Sequence, residues 1–381
     1  MIPHYRERFN RSFTPEKYQQ FLAELDRRSG THVTFRNCET PCFFPKQILA
    51  KMISYGKILI AELLDNPAYL AASDRAVPAE FRVPNETPHP LFIQADFGLD
   101  AELEPKLVEI QGFPSLYAYQ AVQAETYRDV YNLDPLLSYE FVDDYWGLLK
   151  DAVLGGHDPA NVVLMEIDPE QQKTLADFKL MAKYCGIETV PVTEVKKRGN
   201  RLYHGDTPIH RIYNRVIVDE LQRKGIRPGF DWRNDLDVEW AGHPNWYFRI
   251  SKFSLPYLKH QSVPKTWFLN ELTTLPHDLE NYVLKPLYSF AGLGVIIGPS
   301  YEELQLVDKS QYILQQKVNF APVIQTPLGP TKAEVRVMYI WQEKLEAVTT
   351  IVRMGRGKMM GVDQNRDMEW VGASAGFFDQ I

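Results

Sequence analysis

The chain has 381 residues, 45% hydrophobic and 24% charged, with a formal net charge of −7. That is the make-up of a globular protein large enough for two or three packed subdomains, and the acidic balance without any Lys/Arg block excludes a dedicated nucleic-acid binder. No apolar run reaches the ~20 residues that cross a bilayer, so no membrane partner is expected.

The start, MIPHYRERFN, lacks the apolar core of a signal peptide, and the expected location is cytoplasmic. Cys38, Cys42 and Cys185 are too few and too scattered for a disulfide framework or a zinc site.

Thr14-Pro15 reads as a helix cap followed by proline at the first helical position, and Tyr18, Phe21, Leu22 and Leu25 then recur on one face up to Gly30. A second helix starts near Pro45, with Ile48, Leu49, Met52, Ile53 and Leu59 as its apolar side, and stops before Asn66-Pro67. Residues 71–89, rich in Pro and Ala, read as a connection.

Leu91–Phe97 and Lys106–Gln111 then read as two strands, with Gly98, Asp100 and Pro105 as turn chemistry between them. Side chains two apart on a strand share a face, so Glu109 and Gln111 point the same way, and a hairpin brings Asp96 beside them. Two carboxylates and an amide oxygen make an all-oxygen set of the kind Mg2+ prefers. The same spacing also suits an Asp96 that opens a turn and a Glu109 that faces solvent.

Leu116–Leu154 reads as mostly helix, interrupted around Asn132–Pro135, and Gly155-Gly156 with Pro159 marks a boundary. A strand at Val162–Glu166, a helix across Gln171–Tyr184 and a strand at Thr189–Val192 imply a parallel pair joined by a crossover. Val195–Leu202 followed by Gly205-Asp206 is expected to be a small polar hairpin. Arg211 and Arg215 lie on one face of what reads as an edge strand; they either clamp an anionic substrate group or make solvated ion pairs.

A helix from Ser251 through Leu258 and a strand near Thr266–Leu269 lead into Tyr282–Gly298, YVLKPLYSFAGLGVIIG. An apolar strand delivers Lys285-Pro286, a loop holds Ser289, Gly292 and Gly294, and an apolar strand returns. Glycines let backbone N–H groups approach phosphate oxygens, and a strand-borne lysine adds a point charge. A plain glycine-turned hairpin has the same pattern, and no GxxxxGK[ST] loop is present. Glu302-Glu303-Leu304 starts a short helix, and Tyr312–Val318 is a buried strand turning polar. Ala333–Trp341 and Leu345–Arg353 then pair as a hairpin, with Glu334 and Arg336 on one face and Arg353 at the end of the second strand.

Taken in order, these pieces resemble the circularly permuted ATP-grasp ligases, the group of eukaryotic glutathione synthetases and bacterial glutathionylspermidine synthetases. The strand with Asp96 and the strand Val108-Glu109-Ile110-Gln111 look like that family's metal pair, an aspartate followed by E-x-N. Lys285-Pro286 ahead of Gly292-Leu293-Gly294 looks like its phosphate-binding lysine and glycine loop, and Gln315-Gln316-Lys317-Val318 like its adenine-binding hinge.

The metal strands come first in this chain, which is why the resemblance is to the permuted form. Gln111 stands where the family has asparagine, Gln94 where glutathionylspermidine synthetases carry an arginine two residues before the aspartate, and Gln316 where the hinge has glutamate.

The resemblance implies an α+β fold with an α/β subdomain, a permuted ATP-grasp of mixed and antiparallel sheets flanked by helices. Residues 1–155 would supply N-terminal helices and the metal-site strands, 156–250 an α/β substrate subdomain, and 251–381 the nucleotide-binding subdomains with the glycine-rich lid. It implies an ADP-forming carboxylate–amine ligase acting through an acylphosphate on a small-molecule acid and amine. Mg2+ would sit on Asp96, Glu109 and Gln111, and ATP on Lys285, Ser289, Gly292, Gly294 and Gln315–Val318. Arg336 or Arg353 would stabilise the reacting oxygens, and Arg211 and Arg215 would seat the acid. Two other classes share these motifs: a nucleotide binder without turnover, and a small-molecule kinase on the same fold.

Overall fold

The computed structural model describes residues 1–289, 292–365 and 367–379. Strands β1 (Cys42–Phe44), β2 (Phe92–Leu99), β3 (Pro105–Gln111) and β4 (Leu137–Ser138) come first. Next are β5 (Val162–Glu166), β6 (Glu188–Pro191), a small antiparallel sheet of β7 (Val195–Arg198), β8 (Arg201–His204) and β9 (Thr207–Ile209), then β10 (Arg211–Asn214) and β11 (Glu239–Ala241). The order β11-β10-β5-β6 forms a parallel four-stranded sheet.

β12 (Thr266–Phe268), β13 (Tyr282–Pro286), β14 (Ile296–Ile297) and β15 (Tyr312–Gln316) form an antiparallel sheet in the order β12-β15-β13-β14. Finally β16 (Ile324–Thr326), β17 (Gly329–Trp341), β18 (Leu345–Gly355) and β19 (Gly372–Asp379) join the first four strands in an eight-stranded sheet. Its main path runs β1-β19-β18-β17-β2-β3, so strands from the two ends of the sequence interleave.

The helix Pro15–Ser29 forms as its signals require: Thr14 accepts from the Lys17 N–H, and Gly30 takes the left-handed conformation that ends it. Three expectations change. Asn66-Pro67 ends one helix, Lys46–Leu64, but Asn66 also caps a new one, Pro67–Ala76, which runs into the stretch 71–89 expected to be a connection. The interruption expected around Asn132–Pro135 is present but runs on to Asp144 and carries β4, between the helices Tyr117–Tyr131 and Tyr145–Leu154. The helix expected from Ser251 is a 3-10 turn, Lys252–Tyr257.

The large sheet has two chemically different faces, and the period-2 alternation of its central strands decides which is which. Ile93, Ala95, Phe97 and Leu99 of β2 join Val335, Val337 and Tyr339 of β17 in one core, packed on Leu49, Met52, Leu59, Ile60 and Leu63 of the helix Lys46–Leu64. On the other face Phe92, Met338 and Ile351 lie in a second core with Tyr117, Ala121 and Ala124 of the helix Tyr117–Tyr131. Past that helix the same face turns charged, because its next positions are Gln94, Asp96, Glu334, Arg336 and Arg353. Among the described residues no helix is long and apolar enough to cross a membrane.

Gly56 shows how tightly the first face is packed. A Cβ there would fall on the Tyr339 hydroxyl, which donates to the Ile53 carbonyl at 2.9 Å. Gly56→Ala gains helix propensity but drives that ring out of a filled core. The expected net loss is about 1–3 kcal/mol, read as a lower urea midpoint.

Candidate active site

Antiparallel pairing sets Asp96 opposite Glu109 on β3 and opposite Arg336 on β17, and β18 adds Arg353 next to Glu334. The backbone register alone therefore gathers three acids and two arginines on one patch. Arg336 grips Asp96 with both prongs, Nε to Oδ1 and Nη2 to Oδ2, each at 2.6 Å. Its Nη2 also reaches Glu109 at 3.3 Å, and its Nη1 donates to Gln94 Oε1 at 3.1 Å. With its carbonyl turned inward, Gln111 accepts from both terminal nitrogens at 2.8 Å. Arg353 ion-pairs with Asp96 and Glu334.

Two lysines complete the patch from outside the large sheet. Lys285, delivered by β13, donates to the Val108 carbonyl of β3 at 2.9 Å and to Gln315 Oε1 of β15 at 2.6 Å. Lys252 donates to the Ser289 carbonyl at 2.6 Å and lies 3.4 Å from Glu109. Asp96, Glu109, Gln111, Lys285, Gln315, Arg336 and Arg353 thus meet in one largely buried cluster where the two sheets approach each other.

Four cations face three carboxylates here, and burial sharpens the imbalance. Burial pushes the Glu334 carboxyl up to about 7, against the pull of Arg353. Burial would raise Glu109 too, but Lys252, Arg336, Arg353 and Lys285 together hold it at about 2. Burial, with Lys252 adding to it, lowers Lys285 to about 8 despite Glu109, Glu334 and Asp96. Several buried donors in this cluster have no partner: Arg353 Nε, Gln315 Nε2 and the Ser289 hydroxyl. A patch with surplus positive charge and idle donors suits a polyanionic ligand with many acceptor oxygens.

The expected Mg2+ set fares differently. The oxygens of Asp96, Glu109 and Gln111 do converge, but on the guanidinium of Arg336. Among the described residues no group of three His, Cys, Asp or Glu side chains is placed to hold a metal ion. As arranged, these residues do not fit a bound Mg2+.

The hinge backbone is partly committed. Gln316 N–H donates to the Lys265 carbonyl and Lys317 N–H to the Asn281 carbonyl, both at 2.8 Å. Gly292 and Gly294 are both left-handed, at φ 74° and 73°, as a tight turn requires; Phe290 and Ala291 between Ser289 and Gly292 lie outside the described residues.

The paired-arginine clamp is not formed. β10 lies between β11 and β5, so it is not an edge strand, and its two arginines serve opposite ends. Arg211 is spent on Glu239 at 2.6 Å and on the carbonyls of Ala152 and Val153. Arg215, just past the other end, is buried between Phe113 and Phe178, its guanidinium 5.1 and 5.5 Å from their ring centres. Its Nε and Nη1 are buried without partners. Near it, burial pushes the Glu166 carboxyl up to about 8 although Arg215 opposes the shift.

Lys252 and Glu166 were not singled out from the sequence. For Lys252 the only signal is its place between Ile250-Ser251 and Phe253 in a stretch rich in aromatic and aliphatic residues; Glu166 ends an otherwise apolar parallel strand, where such sheets place their ligand-facing residues.

Together the interleaved sheets and the charged face define a glutathione synthetase-like fold. Among solved structures the chain is similar to a glutathione synthetase-like effector, GSS30, from Globodera pallida, determined in its apo form. The TM-score is 0.58 over 96% of this chain and 99% of that one, at 10% sequence identity. No family model and no curated protein matches the sequence.

Proposed function

We propose that the protein is an ADP-forming ligase of the permuted ATP-grasp type, joining the carboxylate of one small molecule to the amine of another. The observation that carries this is the reach of Lys285 across to the Val108 carbonyl of β3 while it also bonds Gln315 on the neighbouring strand of its own sheet, which brings acidic hairpin, lysine strand and hinge together. In this reading Lys285, Lys252 and the N–H groups near Gly292 and Gly294 hold the phosphates of ATP. Gln315 contributes its idle Nε2, and the Gln316 carbonyl with the Val318 N–H faces adenine beside Lys317.

Arg215 seats the acid substrate through its unpartnered edge, while Arg211 is structural. The substrate carboxylate attacks the γ-phosphorus in line, giving an acylphosphate and ADP, and the amine then displaces phosphate. Arg353, with its free Nε, is the group best disposed to balance charge on the transferring oxygens. No step is routed through a protein-bound metal.

The test measures ADP and phosphate release across a panel of acids and amines, with products identified by mass spectrometry. The expected result is an amide product and phosphate release that needs both partners. A stable phosphorylated acid formed without amine would instead mark a kinase. ATP binding with no ADP from any pair would leave a nucleotide binder and reject the ligase.

A further inference from the structure

Arg336 has five N–H groups, and Asp96 takes two of them while Glu109, Gln94 and Gln111 take the rest. The side chain is 9% exposed and Asp96 fully buried, so this is a desolvated, fully satisfied guanidinium and not a surface ion pair. It stands at the centre of the oxygens that hairpin β2–β3 turns toward the cluster. Gln111 takes part because its side chain is long enough to lay its carbonyl across both terminal nitrogens. Gln94 is held in turn, its Nε2 donating to the Ser115 carbonyl at 2.9 Å. Arg353, Lys252 and Lys285 are the cations left to meet a ligand.

We propose that Arg336 is the resident cation of this site, filling the place that a divalent metal would otherwise take among Asp96, Glu109 and Gln111. A guanidinium is permanently charged and covalently present, so the acidic hairpin is neutralised at any concentration of divalent ions. It also matches the planar carboxylate of Asp96 with two parallel bonds, a geometry that a spherical ion does not need. The ligand's negative charge then falls to Arg353, Lys252 and Lys285, and the protein itself ligates no metal. The metal half of this inference stands apart from the ligase reading; its nucleotide half rests on it.

The test is Mn2+ titration of the full chain, followed by the paramagnetic resonance signal of the free ion. Wild type is expected to leave the signal undiminished. Arg336→Gln, which releases the oxygens, is expected to take up about one equivalent and to lose it when Asp96→Asn is added. Uptake of one equivalent by wild type, abolished by Asp96→Asn, would overturn the proposal.

Wild-type ATP binding in EDTA and in Mn2+ is the second measurement, and its supporting outcome needs no variant. Affinities within about threefold support a resident guanidinium, whereas a gain of about tenfold with Mn2+ that Asp96→Asn removes overturns it. Failure to bind ATP in both buffers counts against the ligase reading alone, and the metal titration then decides.

Discussion

Asp96→Ala should cost about 3–5 kcal/mol of stability, far more than the side chain's size would suggest. The carboxylate is fully buried and holds both Arg336 and Arg353, so its removal strands two guanidiniums away from water. Glu334, already paired with Arg353, and Glu109, shared between Lys252 and Arg336, offset only part of the loss. Asp96→Asn keeps the shape and one acceptor oxygen and should recover a minority of the difference. The measurement is the urea midpoint of the three proteins at one pH. Equal midpoints for wild type and Asp96→Ala would mean that the Asp96–Arg336–Arg353 network does not form in solution.

The second large effect is at Lys285, where stability and binding should move in opposite directions. Its ammonium is buried and bonded only to a carbonyl and an amide oxygen, so the charge is poorly compensated until an anion arrives. Lys285→Met removes that charge at similar length. It should weaken ATP binding by about 10–100-fold, the worth of one charge-assisted bond, and leave stability equal or slightly higher.

The pH dependence has a defined sign. The folded-state value is about 8, against the usual 10.5, so between those limits the unfolded chain holds more protons than the native one. Stability contributed by this group therefore rises with pH from about 8 to 10.5, and its full penalty applies below 8. ATP affinity should fall over the same rise through 8, as the ammonium is lost. Urea midpoints and ATP dissociation constants measured from pH 7 to 10 should show both slopes in wild type and neither in Lys285→Met. Stability and ATP affinity changing in the same direction with pH would place the titrating group elsewhere.

The local parts of this site could be read from the sequence, and the relations between them could not. The β2–β3 hairpin follows from its own turn residues, and Lys285-Pro286 from the apolar strand that carries it. Asp96 and Arg336, however, are 240 residues apart, and only strand register decides that they face each other. Alternation puts Arg336 on the right face without revealing that the three residues expected to hold a metal would be its acceptors.

Arg211 and Arg215 do share strand parity, yet four residues of strand span about 13 Å, so one serves the floor of the parallel sheet and the other its upper rim. Asn66-Pro67 carries both a stop and a start signal, and the chain uses both. Lys252 sits on a 3-10 turn, where neither period 2 nor period 3.6 says which way a side chain points.

The placement of β19 has a consequence for how the molecule is made. This strand lies between β1 and β18, although the three are contributed by residues 42–44, 345–355 and 372–379. On the ribosome, β1 must therefore wait, its edge unpaired, until more than three hundred further residues have been synthesised, and the β2–β3 hairpin until more than two hundred have. The parallel sheet of the middle segment needs only strands made between residues 162 and 241 and can assemble while the rest is still emerging. The early strands are thus the part of the nascent chain most in need of a chaperone's cover, and a ribosome stalled before residue 372 would present an open sheet rather than a shortened protein.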